Sequence, residues 1–251
     1  MNNDYLKLAV SAAQKAGEYL KQRRDIRVDE DLMHDIKLST DKAAEKIILD
    51  ELFPSGLFVL TEESGIVGNE SELKWIIDPL DGTVNYFKDL GELSCVSIAL
   101  YKNNEPLIGV VNRFVAEELF VGVVGNGATL NGKQIQTSGV TKLNNAVMAT
   151  GFPNAFELSN DNLIYFINRV KRVKKVRMLG TAAIMGTFVS CGRVDLYSEM
   201  SIRLWDVAAA AAIVKAAEGA ISLKAHENDK LFRCDFACAA TDELLKEYEY
   251  A

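Results

Sequence analysis

Carboxylates end or flank apolar runs at four places in the 251-residue chain. Asp41 opens a helix-like stretch, Glu62 and Glu63 follow "LFVLT" (57–61), Asp78 and Asp81 follow the run Trp75-Ile76-Ile77, and Asp206 follows Trp205 at the head of an alanine-rich run. Taken singly, each has an ordinary explanation. An Asp at a helix start is a cap, a Glu pair after a strand is a solvated loop, and Asp-x-x-Asp-Gly is a turn in which the glycine supplies positive φ. Brought to one point, such carboxylates repel unless cations lie between them. Hard oxygen donors select Mg²⁺ or Mn²⁺ over Zn²⁺. The two histidines, His34 and His226, form no ligand-like pair, and Cys95, Cys191, Cys234 and Cys238 contain no Cys-x-x-Cys, so they read as small core residues. The spaced ligands and closing Glu of an EF-hand are missing. Carboxylate-only sites clamp phosphate oxygens and activate water. Gly82 and Thr83, opening a short helix, would offer backbone N–H groups to a phosphate, and the small glycine would let it approach.

Elements must carry these groups to one place. Residues 4–24 read as an amphipathic helix, and a second helix capped by Thr40 stops before Pro54. Strands are expected at 57–61, 74–78, 94–101, 106–112 and 118–124, followed by an Asn-Gly hairpin within 125–135. The second half alternates: strands near 146–151, 175–179, 193–198, 219–223 and 235–240, and helices over 160–173, 181–191, 205–217 and 241–249, the last capped by Thr241. This predicts layers of helix and sheet in one unit over 1–251, an α+β half to about residue 140 and an α/β half from about 141.

Composition bounds the partners. Nearly half the residues are hydrophobic and a quarter charged, so a sizeable core is available. The net charge of −7 disfavours a nucleic-acid polymer, while a small phosphorylated metabolite remains open because a metal can reverse the local sign. The N-terminus lacks a signal-peptide h-region, "VAAAAAIV" (207–214) is too short to span a bilayer, and free cysteines suit a reducing compartment. The expectation is a cytoplasmic protein with no membrane role.

"WIIDPLDGTVNYF" (75–87) is very similar to the first motif of the inositol monophosphatase family of metal-dependent, lithium-sensitive phosphatases. "LTEES" resembles its Glu-Glu-Ser element, "STDKAAEK" its Thr-x-x-Asp helix start and "LWDVAAA" its second motif, over about residues 5–240. The resemblance implies the α-β-α-β-α sugar-phosphatase fold, a homodimer, and two or three Mg²⁺ ions, with Mn²⁺ as the alternative. It implies that Glu62, Asp78 and the Leu80 carbonyl hold a first metal and that Asp78, Asp81 and Asp206 hold a second. Gly82 and Thr83 would take the phosphate, and Thr83 with Asp41 would orient water with Glu62 nearby. Glu63 would be a supporting residue.

The substrate is less sharply implied. "LGTAA" (179–183) is similar to the family's sugar-side segment, with Thr181 in place of Ser, and "YSEMSIRLWD" (197–206) to the stretch that sends a glutamate, here Glu199, to a ring hydroxyl. Inositol monophosphate is therefore the expected substrate. Fructose 1,6-bisphosphate, histidinol phosphate or a 3′(2′),5′-bisphosphate nucleotide are the alternatives, and a non-catalytic binding homologue is the alternative class. One region departs from the pattern: "VKAAEGA" (214–220) stands where the family runs to Glu-Ala-Gly-Gly, and Ala210 replaces a frequent Gly.

Overall fold

The computed structural model describes residues 2–22, 26–32, 35–69, 71–152, 159–226, 229–230 and 232–249. In chain order, helix α1 (Asn2–Lys21) leads to a hairpin of β1 (Val28–Leu32) and β2 (Asp35–Leu38), then α2 (Ser39–Leu52). The next elements are β3 (Phe58–Thr61), β4 (Gly65–Val67), β5 (Leu73–Asp81), the short helix α3 (Thr83–Phe87), β6 (Cys95–Lys102), β7 (Glu105–Arg113), β8 (Glu118–Val123), β9 (Gly127–Leu130) and β10 (Lys133–Ile135). The second half runs β11 (Val147–Ala149), α4 (Asn160–Val170), β12 (Lys175–Arg177), α5 (Ala182–Val189), β13 (Leu196–Arg203), α6 (Leu204–Ala216), β14 (Ala220–Ala225), β15 (Arg233–Ala239) and α7 (Asp242–Glu249).

Two sheets result. Eight strands lie in the order β10-β9-β8-β7-β6-β5-β3-β4, and five in the order β12-β11-β13-β15-β14. Pairing in the large sheet is antiparallel except between β3 and β5. The period of two along each strand divides the apolar residues between cores. Trp75 and Ile77 of β5 pack with Ala9, Ala13, Ala44 and Ile48 of α1 and α2, whereas Ile76 packs with Ile184, Ala209 and Ile213 of α5 and α6. The far side of α5 and α6 meets Tyr197, Phe236 and Cys238 of the second sheet, whose outer face carries Leu196, Ala237 and Ala239 against Leu244 and Tyr248 of α7. The layers are thus α-β-α-β-α, as the sequence led us to expect.

Small residues let α6 sit between two sheets. Ala208 to Ala212 are fully buried. A Cβ on Gly186 of α5 would come within 2.8 Å of the Ala210 Cβ, so the volume added by alanine at 210 is taken up by the missing side chain at 186.

Several boundaries differ from the expected ones. The β1–β2 hairpin and β4 were not foreseen: the first is acidic without a clear apolar alternation, the second only three residues long. Strand β5 continues through Pro79 to Asp81, and β13 continues to Arg203. Thr40 is not the cap of α2. It lies buried within the first turn, and the Leu38 N–H is taken at 2.9 Å by Asp41. Thr241 does cap α7, accepting from Leu244 N at 3.2 Å, and Asn131-Gly132 forms the two-residue β9–β10 turn with φ of 49° and 75°.

Candidate active site

Asp78 and Asp81 are three apart, and in a regular strand residues i and i+3 point to opposite faces. Here they do not. Asp78 pairs with Ser97 and Asp81 with Cys95, so β5 spends one more residue than β6 over this step. That bulge absorbs Pro79, which has no N–H to give to a ladder, and lets both carboxylates lie in one buried neighbourhood. The Leu80 N–H closes an Asx-turn on Asp78 Oδ1 at 3.0 Å, and Thr83 Oγ1 donates to the Leu80 carbonyl at 3.0 Å. Gly82 follows with φ of +82°, and a Cβ there would lie 2.5 Å from the Leu93 carbonyl oxygen, so the turn admits only glycine.

The other acids come from separate elements. Asp206 is the third residue of α6 and accepts the backbone N–H of Arg203, as Asp41 accepts that of Leu38 at the start of α2. Both are helix-capping aspartates as well as site candidates. Glu62 follows β3 in a loop held from beneath by Glu45, one turn after Asp41. The buried Glu45 carboxylate accepts Thr61 Oγ1 at 2.7 Å, Ser64 N at 3.0 Å and Ser64 Oγ at 2.6 Å, bracketing Glu62 and Glu63. Glu63 pairs with Lys37 at 3.3 Å. Burial disfavours the Lys37 ammonium, but Glu63 and Glu62 outweigh it and leave its pKa raised.

Electrostatics ties these groups together. Burial first, and then the charges of Glu62, Asp81 and Asp206, hold the Asp78 carboxyl well above the usual range. Burial together with Glu62, Asp81 and Glu199 does the same to Asp206. Asp81 is pushed up to about 6 by burial, against bonds from Thr181, Ala183 and Ala182 that favour its charged form. Its Oδ2 accepts the Thr181 hydroxyl, Ala183 N at 2.8 Å and the Cys95 thiol at 3.8 Å. Thr181, expected beside the substrate, therefore gives its hydroxyl to a carboxylate of the cluster. Glu199 is pushed up to about 8 by burial, with Asp81 adding to it. It lies where β13 bulges between Glu199 and Ile202, with its carboxylate filling the space a side chain at Gly151 would need. It also lines a crevice with Thr150, Phe152, Tyr165, Arg169 and Tyr248.

The donor set fits hard divalent cations. The candidate side chains offer oxygen donors, and the carboxylates acting on Asp78 and Asp206 repel them. Among the described residues no three His, Cys, Asp or Glu side chains lie close enough together to hold one ion. His226 lies elsewhere, 3.0 Å from Asp235, and His34 is outside the described residues.

Comparison with known proteins gives the family. The model of the inositol monophosphatase family matches residues 1–249. The chain belongs to that family. It is 39% identical over 226 residues to inositol monophosphatase 3 of Solanum lycopersicum, covering 86% of this chain and 84% of that one. It is 34% identical, with the same coverage, to the Nus factor SuhB of Escherichia coli K12. The solved structure of the inositol monophosphatase from Anabaena (Nostoc) sp. PCC 7120 superposes with a TM-score of 0.84 at 31% identity, covering 100% of this chain and 97% of that one.

Sequence reading missed Lys37, Glu45, Asn85 and Cys95 as neighbours of the site. Glu45 had a signal, its i+4 spacing from Asp41. Cys95 had none, because its place opposite Asp81 depends on the bulge register.

Proposed function

We propose that the protein is a Mg²⁺-dependent phosphomonoesterase acting on a small polyol phosphate, inositol monophosphate first. The observation that supports this reading is the burial of Asp78 and Asp81 in one neighbourhood, where Glu62 and Asp206 add like charge to Asp78. Following the family resemblance, Glu62, Asp78 and the Leu80 carbonyl would hold one ion, and Asp78, Asp81 and Asp206 a second. Bound Mg²⁺ in two or three ions, or Mn²⁺ in its place, would neutralise the phosphate and acidify the attacking water. The Gly82 and Thr83 N–H groups would bind phosphate oxygens. The Thr83 hydroxyl and Asp41 would orient water for in-line attack, with Glu62 beside them, and no side chain need become phosphorylated. Glu199, remote from the phosphate, would accept a hydroxyl of the leaving group lodged toward the Phe152–Tyr165 crevice.

Phosphate release from a panel of esters, with Mg²⁺ or EDTA, tests this. Bound cations would draw the Glu199 carboxyl back into its charged form; a carboxylate–hydroxyl bond contributes ~1.5–3 kcal/mol, so Glu199→Gln should then lower kcat/KM for inositol phosphate by roughly 10- to 100-fold. p-Nitrophenyl phosphate, lacking the hydroxyl, should be hydrolysed at the wild-type rate. Equal losses on both substrates would move Glu199 into the metal-binding or folding role. Preference for fructose 1,6-bisphosphate, histidinol phosphate or a nucleotide bisphosphate would replace the substrate assignment. Several relatives are called Nus factors, which brings forward a binding role. A protein that only bound partners would have no need of the four acids, and a panel without turnover would support that alternative.

A further inference from the structure

Asn85 stands four residues after Asp81 and is buried. Its side-chain amide donates to the Leu179 carbonyl at 2.8 Å, to the Leu93 carbonyl at 2.9 Å and, more weakly, to the Gly180 carbonyl at 3.2 Å. One side chain thus joins the turn after Asp81, the 91–94 segment and the 179–180 segment of the other half of the chain. The fit leaves little slack. A Cβ at Gly180 would lie 3.3 Å from Asn85 Nδ2, and one at Gly82 would lie 3.3 Å from the Thr181 Cβ. Immediately beyond Gly180, the Thr181 hydroxyl and the Ala183 N–H both go to Asp81 Oδ2. The bonds close a ring: Asp81, Gly82, Asn85, residues 179–180, residues 181–183, and back to Asp81. Both bonds to Asp81 fall on Oδ2, and so does the Cys95 thiol at 3.8 Å, so one oxygen of Asp81 gathers the contacts from the second half of the chain.

We propose that Asn85 is a positioning residue: by tying residues 179–180 to the Gly82 turn, it holds Thr181 and Ala183 where they orient Asp81 toward the metal. The proposal rests on the phosphomonoesterase reading for the identity of the metal, but the ring consists of protein groups alone. Asparagine suits the place because its NH₂ can reach carbonyls of two segments and carries no charge. Aspartate would face the same carbonyls without a donor, and serine could reach one of them at most. Outer-shell partners of metal ligands commonly affect metal affinity by about 10- to 100-fold when removed.

The test uses the full chain with Asn85→Ala, Asn85→Ser, Thr181→Val and the Asn85→Ala/Thr181→Val pair. In EDTA, hydrogen exchange of the peptide containing 179–183 should accelerate in Asn85→Ala while the melting curve stays cooperative. Mg²⁺ affinity by calorimetry should fall about tenfold or more. Asn85→Ser should lie between this variant and wild type, and it carries the test should the alanine variant fail to fold. The double variant should bind Mg²⁺ no more weakly than the worse single one, because both act through Asp81. Unchanged exchange and unchanged Mg²⁺ affinity in both Asn85 variants, or fully additive losses in the pair, would overturn the proposal. A wild-type protein that binds no Mg²⁺ would instead overturn the phosphomonoesterase reading, and the exchange experiment would still decide whether Asn85 holds 179–183.

Discussion

Asp81 and Glu199 share a physical condition: each is a carboxyl whose charged form is disfavoured in the folded protein. Their pKa values rise from 3.8 to about 6 and from 4.5 to about 8, chiefly through burial. Between the unfolded and folded values the folded state holds more protons than the unfolded one, so stability falls as pH rises. The metal-free protein is therefore expected to be more stable near pH 5 than near pH 8.5. Melting curves in EDTA across that range should show the fall, and Glu199→Gln should remove the part belonging to the window between about 4.5 and about 8. Mg²⁺ should restore stability most at the alkaline end, where the carboxylates are charged. A metal-free melting temperature that climbs from pH 5 to 8.5 would show that these carboxyls are not held as described.

Local departures from regular structure do the aiming. The bulge in β5 puts Asp78 and Asp81 together, and the bulge in β13 after Glu199, with Ser201 at φ +59°, re-aims that strand. The acids proposed for the site stand out in the sequence, since carboxylates at the ends of apolar runs break the pattern. The long amphipathic helices and the Asn-Gly turn were legible, because their signals are local. The bulges were not, because a register depends on the partner strand, and neither was the Glu45 brace, whose donors lie 16 and 19 residues away. The altered "VKAAEGA" segment is an element-scale matter too. Helix α6 ends in a Schellman arrangement, Gly219 N donating to Val214 O at 2.9 Å and Glu218 N to Lys215 O at 3.3 Å. The left-handed position falls on Glu218, at φ +64° and exposed. A side chain there costs about 1 kcal/mol. Glu218→Gly should therefore raise the melting temperature by roughly 2–4 °C, with no change in turnover. A lower melting temperature would mean that the glutamate makes a compensating interaction.

At the scale of the whole molecule, the proposed site would draw residues from both halves. Asp41, Glu62, Asp78 and Asp81 come from the side of the eight-stranded sheet, and Glu199 and Asp206 from β13 and α6. Because α5 and α6 share cores with both sheets, we propose that the two halves form one cooperative unit. No helix among the described residues is long and apolar enough to cross a membrane. We also propose a homodimer, on family resemblance. Sedimentation should then give twice the 27.7 kDa chain mass, and a species at 27.7 kDa alone would dismiss it. If the buried acids hold the ions that drive hydrolysis, removing either the ions or an acid must stop or slow it. The most direct measurement is phosphate release from inositol monophosphate as a function of free Mg²⁺, for wild type and Asp206→Asn side by side. Wild type should be silent in EDTA and saturate with Mg²⁺, while Asp206→Asn should need more Mg²⁺ and turn over ~100-fold or more slowly. Robust hydrolysis in excess EDTA, or an Asp206→Asn protein indistinguishable from wild type, would contradict the account and leave Asp206 a helix cap and nothing more.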